Sequence, residues 1–96
     1  MKLYVLTRKD LSVPQRAVQS GHALAEFLLR NNASWANGTL VYLGVNSEAE
    51  LIKWMEKLKH RRIRFNAFQE PDIGNQFTSL ATIVDDERIF SKLRLL

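Results

Sequence analysis

The chain has no cysteine, only two prolines, four glycines and no long apolar run. Without cysteine there is no disulfide scaffold, no thiolate metal site and no thiol nucleophile, which suits a reducing compartment. The apolar stretches are of strand length, and the N-terminal MKLYVLTRKD meets charge too soon for a signal peptide or a membrane span. A soluble, cytoplasmic protein with no membrane association is therefore expected. Also absent are a Gly-rich phosphate loop, a G-x-S-x-G elbow and an H-E-x-x-H pair. The two histidines stand far apart, so neither a metal site nor a cofactor is expected.

What is present describes one ordinary globular domain over residues 1–96, at 46% hydrophobic and 25% charged, with no repeat, linker or low-complexity segment. The formal charge of +4 suits an anionic partner, and its distribution is sharper than its total. Lys57, Lys59, Arg61, Arg62 and Arg64 crowd into one short stretch around His60. They read either as contacts to a phosphate backbone or as a solvated helix end whose cations complement the dipole.

The longest patterned stretch is VPQRAVQSGHALAEFLLRN, from Val13 to Asn31. Val13, Ala17, Gly21, Leu24 and Leu28 recur at helical spacing and predict one apolar face, with Val18 and Ala25 at its edge. Gly21 in mid-helix implies a close packing contact. Gln15, Gln19, His22 and Glu26 form a polar row, either a solvated face or the wall of a site. Ser12 is the expected N-cap, with Pro14 in the first turn.

Lys2–Thr7 is an apolar, β-rich run that suits a strand covered on both sides. Thr39–Val45 is apolar on both faces and should be central. Ser47 and Glu50 form a capping box that opens a second helix, with Leu51, Trp54, Met55 and Leu58 as its buried stripe. Ile63–Phe68 alternates like an edge strand. Glu70–Gln76 (EPDIGNQ) is an irregular loop, Phe77–Val84 a fourth strand and Asp85–Leu96 a short final helix. The element order β-α-β-α-β-β-α predicts an α/β protein, a three-layer α/β/α sandwich with a mixed four-stranded sheet.

Ligands of such sheets sit beyond the carboxyl ends of parallel strands. An antiparallel last strand brings the EPDIGNQ loop to that end. Glu70, Asp72 and Thr78 would then lie near Gln15, Arg16, Gln19 and His22. Carboxylates, amides and an imidazole together can position a water and stabilise charge on a carbonyl. The alternative is that Pro71-Asp72 makes a plain turn and Glu70 caps an edge.

Asp10-Leu11 after the first strand, Gln19-Ser20-Gly21-His22-Ala23 in the helix, the acid Glu70 and the strand Thr78-Ser79-Leu80-Ala81-Thr82-Ile83 follow one another in register. This pattern resembles the type II peptidyl-tRNA hydrolases over nearly the whole chain. The resemblance implies a three-layer α/β/α homodimer that hydrolyses, without a metal, the ester joining a peptide to the 3′ ribose of tRNA. It makes Gln19 and His22 orienters of the substrate or water, Glu70 with Asp72 the base or its orienter, and Thr78 a group at the scissile ester. The five basic residues from Lys57 to Arg64 would hold tRNA phosphates. The chain departs from the pattern in three places. The family's important lysine is replaced by Gln15, its acid-loop aspartate is Glu70, and both flanking loops are shorter. Arg16 and Lys9 are the neighbouring cations that could replace the lysine. A non-catalytic RNA- or protein-binding module on the same fold is the alternative function, and an enzyme for another small acyl or nucleotide substrate the third.

Overall fold

The computed structural model describes every residue, Met1–Leu96. At its centre is β1 (Lys2–Arg8), flanked by a parallel β2 (Leu40–Val45) and an antiparallel β4 (Gln76–Val84). β3 (Phe65–Glu70) closes the sheet outside β4, and a two-residue β5 (Arg94–Leu95) closes it outside β2, both antiparallel. The protein is thus a mixed α/β fold with two helices on a five-stranded sheet, ordered β3-β4-β1-β2-β5.

Alternation along β1 explains why its sequence is apolar throughout. Leu3 and Val5 pack with Ala23 and Phe27 of α1 (Val13–Arg30), while Tyr4 and Leu6 pack with Leu51 and Leu58 of α2 (Glu48–His60). The two helices therefore cover opposite faces of the sheet. β1 is the central strand, and β2, expected there, lies one place out with Leu40 48% exposed.

Two expectations are corrected by the C-terminal segment. The predicted final helix over Asp85–Leu96 is a single 3-10 turn, Glu87–Phe90, followed by β5, so the sheet has five strands rather than four. The reason is the open edge of β2. Leu95 pairs with Leu43, and the Leu96 N–H donates to the Tyr42 carbonyl at 3.0 Å, which a helical tail could not do. Asp86 caps the 3-10 turn through the Arg88 N–H, and Phe90 drops between Tyr4 and Trp54.

The setting of α1 is the third correction. Its buried residues are Gln19, Ala23 and Phe27, not the stripe from Val13 to Leu28. Val13 is 71% exposed and Leu28 42%. Phe27 is the largest apolar group the helix can bury, and hydrogen bonds from Gln19 and Asn31 to the sheet fix the same rotation. The polar row consequently turns toward β3 and β4, and the apolar stripe is left largely exposed except at Leu24, which is half-buried against the core. A Cβ at Gly21 would meet nothing, so no contact within the chain requires glycine there.

Candidate functional site

The strand register sets the ends of the molecule. Thr7 pairs with Ser79 and Glu70 with Gln76, so the β1–α1 turn, the start of α1 and the β3–β4 connection share the carboxyl end of β1. The connection is short and stiff: Pro71–Ile73 forms a 3-10 turn and Gly74 reverses the chain with φ 73°. Only glycine adopts that conformation without a steric cost.

These segments enclose a cavity of about 290 Å³. Leu11, Pro14, Val18 and Ile73 give it apolar walls, and Gln15, Gln19, Glu70 and Asp72 its polar groups. A chain of side-chain hydrogen bonds forms one wall. The Thr78 hydroxyl donates to Gln19 Oε1 at 2.6 Å, and Gln19 Nε2 donates to Glu70 Oε1 at 2.8 Å. Because a carboxylate only accepts, the contact with Glu70 fixes which end of the Gln19 amide faces it. Thr78 is wholly buried, so it fastens Gln19 from behind and cannot itself touch a ligand at an ester.

Gln15, where the resembled family has a lysine, is committed to local structure. Its Oε1 accepts from the Ser12 N–H and hydroxyl, both at 3.0 Å, while the Gln15 N–H donates to Ser12 Oγ. This reciprocal pair is a capping box. It leaves Nε2 as a neutral donor at the cavity wall.

The other expected site residues are not brought into the cavity. His22 stands one turn further along α1, its ring stacked on Phe68 at 4.3 Å and 5°. The Arg16 guanidinium donates to the carbonyls of Leu11 and Lys9, at 3.0 and 2.6 Å, and so closes the β1–α1 turn. The Lys9 stem lies over Gly44 on the far side of β1, where any Cβ would meet its Cγ at 2.7 Å. No cation lines the cavity.

The basic stretch is also elsewhere. α2 begins beside β4 at the cavity end, where Glu48 accepts from the Phe77 N–H at 2.8 Å, and runs toward the opposite end. β3 then returns over six residues, placing Arg64 and Glu70 about 20 Å apart. The chain reverses at Arg62, φ 59°, which divides the stretch. Lys57 and Arg61 border a groove beside α2, whereas Arg62 and Arg64 border a depression with Asn31 and Asp85. Lys59 lines neither.

One residue that orders the site escaped sequence reading. Arg8, read as the start of a polar loop, is the last residue of β1 and its side chain is only 9% exposed. It forms a two-pronged pair with Asp10, at 2.9 and 2.8 Å, and donates to Gln76 Oε1 and the Phe77 carbonyl. These bonds tie the β1–α1 turn to the start of β4. The adjacent guanidinium holds the Asp10 carboxyl below the usual carboxylate range, and Asp10 holds Arg8 protonated. The usable signal was the Arg-x-Asp spacing at a strand end.

No group of three histidine, cysteine or acidic side chains converges as a metal site would require. No helix is long and apolar enough to cross a membrane. Fold and site thus define a small mixed α/β protein with an amide- and carboxylate-lined cavity at the carboxyl end of its parallel strand pair.

Neither a protein-family model nor a curated protein matches the chain. Among solved structures it is similar to a protein of unknown function, Atu0240, from Agrobacterium tumefaciens strain C58. That similarity covers 99% of this chain and 96% of the other, with a TM-score of 0.75 and 17% identity. At that identity the likeness concerns the fold.

Proposed function

We propose that the cavity hydrolyses an ester between an acyl group and a nucleotide, as in peptidyl-tRNA, on a three-layer α/β/α fold of the type II peptidyl-tRNA hydrolase kind. The observation that carries this reading is the Thr78–Gln19–Glu70 chain at an apolar-walled cavity. Glu70 takes a proton from water as the oxygen attacks the ester carbonyl, with Asp72 orienting that water. Gln15 Nε2 faces the oxyanion, and the proton on Glu70 passes to the departing ribose oxygen. The apolar walls receive the acyl side chain. A neutral amide stabilises an oxyanion less than the lysine it replaces, so the reaction is slow.

The test is release of peptide from a peptidyl-tRNA. Glu70→Gln lowers the rate by about 10²–10⁴, the range for losing a general base. Thr78→Val, which unfastens Gln19, lowers it by about tenfold while costing about 1–3 kcal/mol of stability. No release at stoichiometric protein, or full activity in Glu70→Gln, rejects the reading.

The absence of any cation at the cavity favours a second reading, a non-catalytic RNA- or protein-binding module in which α1 and the acid loop are structural. In either case we expect a cytoplasmic homodimer. What supports pairing of two copies is a depression beside α1, of about 200 Å³, whose lining includes Ala17, Gly21, Leu24, Leu40 and Tyr42. The Tyr42 hydroxyl is buried there without a hydrogen-bond partner.

A further inference from the structure

A groove of about 460 Å³ runs between the C-terminal half of α2 and the segment carrying the 3-10 turn. Lys57 and Arg61 stand on one rim and Arg88 and Lys92 on the other. The pairing of the two rims is tertiary: the last two residues are far from the basic stretch in sequence. Asp86 is the one carboxylate in the lining, and Arg88 holds it at 2.9 and 3.2 Å. Lys57, Arg61 and Lys92 belong to none of the four ion pairs in the protein, and four cations against the one carboxylate Asp86 leave the lining with a net positive charge. Charges so concentrated repel one another and are relieved by an anionic partner.

The rims are held rather than loose. The Lys57 ammonium lies 4.7 Å from the Trp54 ring centre. Trp54 is packed on Phe90 at 5.2 Å, and Phe90 on Tyr4 at 4.9 Å, so both rims rest on the core. Lys57 and Arg61 are one helical turn apart, about 6 Å along the axis. A basic groove with Trp54 in its lining suits the charged backbone of a single strand.

We propose that this groove is a docking track for single-stranded RNA, separate from the ester cavity. It lies on the α2 side of the sheet at the amino end of β1, whereas the cavity lies on the α1 side at the carboxyl end. The choice of RNA among polyanions rests on the nucleotide substrate proposed above.

Binding of a fluorescent oligouridylate, which carries no acyl ester, tests the groove independently of hydrolysis. Three neutralised phosphates give a salt slope of roughly −2, so affinity falls about 20-fold between 50 and 200 mM salt. Arg61→Glu with Lys92→Glu, both on exposed positions, weakens binding at least about tenfold. Lys59→Glu with Arg64→Glu changes the net charge equally outside the groove and alters binding by less than about threefold, because screening confines the effect. Equal losses from the two pairs, no binding by the unmodified protein, or equal competition by polyglutamate each overturn the proposal. Hydrolysis without RNA binding removes the groove and leaves the cavity; binding without hydrolysis does the reverse.

Discussion

The two faces of the sheet are built by different means. On the α2 face nine buried apolar residues, from Tyr4 to Phe90, make the larger core, and polar contacts such as Glu48 on the Phe77 N–H lie at its margin. On the α1 face the buried apolar set is five residues, and the helix is positioned as much by Gln19 on Glu70 and Thr78, His22 on Phe68 and Asn31 on Asn66. Apolar packing is non-directional, so it stabilises without specifying where a polar atom points. Hydrogen bonds are directional and are costly to leave unmade, so they place side chains. The face with fewer apolar contacts is accordingly the one that holds the candidate site.

Truncation on each face tests this division most directly. Leu58→Ala, wholly buried against the sheet, is expected to cost about 2–5 kcal/mol in denaturant unfolding. Leu24→Ala, the same change on the half-buried side of α1, should cost about 1 kcal/mol. Equal losses would mean that the faces share the load.

The next effect lies at the Arg8–Asp10 pair, which fastens the turn leading into α1. Asp10 is 42% exposed, so solvent screening limits the pair to about 1 kcal/mol. Its carboxyl titrates lower in the folded protein than in the unfolded chain, so the contribution is complete above the ordinary carboxylate pKa of 3.8 and fades as pH falls through the lower folded value. Asp10→Asn should therefore narrow the stability gap to the unmodified protein under acid and widen it at neutral pH. A gap constant from neutral pH into strong acid would show that Asp10 does not act by charge.

The smallest expected effect is at Gly21, on the outward side of α1. Gly21→Ala adds a methyl that meets nothing in the chain and removes backbone freedom from the unfolded state, a gain of about 0.5–1 kcal/mol in thermal unfolding. A loss that grows with protein concentration would instead place a second copy against that side.

The local elements were readable because their causes are local. Ser12 and Ser47 cap the helices as expected, although the Glu50 carboxylate accepts from the Asn46 N–H rather than closing the expected box with Ser47, and alternation marked β3 as an edge. The parts misread are those in which two patterns compete. Both the Val13–Leu28 stripe and the Gln19–Ala23–Phe27 stripe have helical spacing, and the sequence alone does not rank them. Phe27 and the partners of Gln19 do, and those partners are 51 and 59 residues away. For the same reason Gln15, His22, Arg16 and Lys9 looked alike as site candidates. They separate only when Ser12, Phe68, the Leu11 carbonyl and Gly44 claim them.

By itself the sequence determined the two long helices and four of the five strands, that β1 is buried on both sides, and that an acid-bearing turn and the polar row of α1 exist; it did not determine the C-terminal segment, a 3-10 turn and β5 where a helix was expected. Caps, side-chain periodicity and turn residues act over a few residues, so they are written in the order of the chain. Only the tertiary structure decided that Gln19 meets Glu70 and Thr78, that Arg8 is buried, and that the basic stretch divides, with Lys57 and Arg61 facing Arg88 and Lys92. Each of those facts depends on strand register and on the rotation of a helix about its axis. Both are fixed by the packing of many distant residues at once, not by the neighbours of any one.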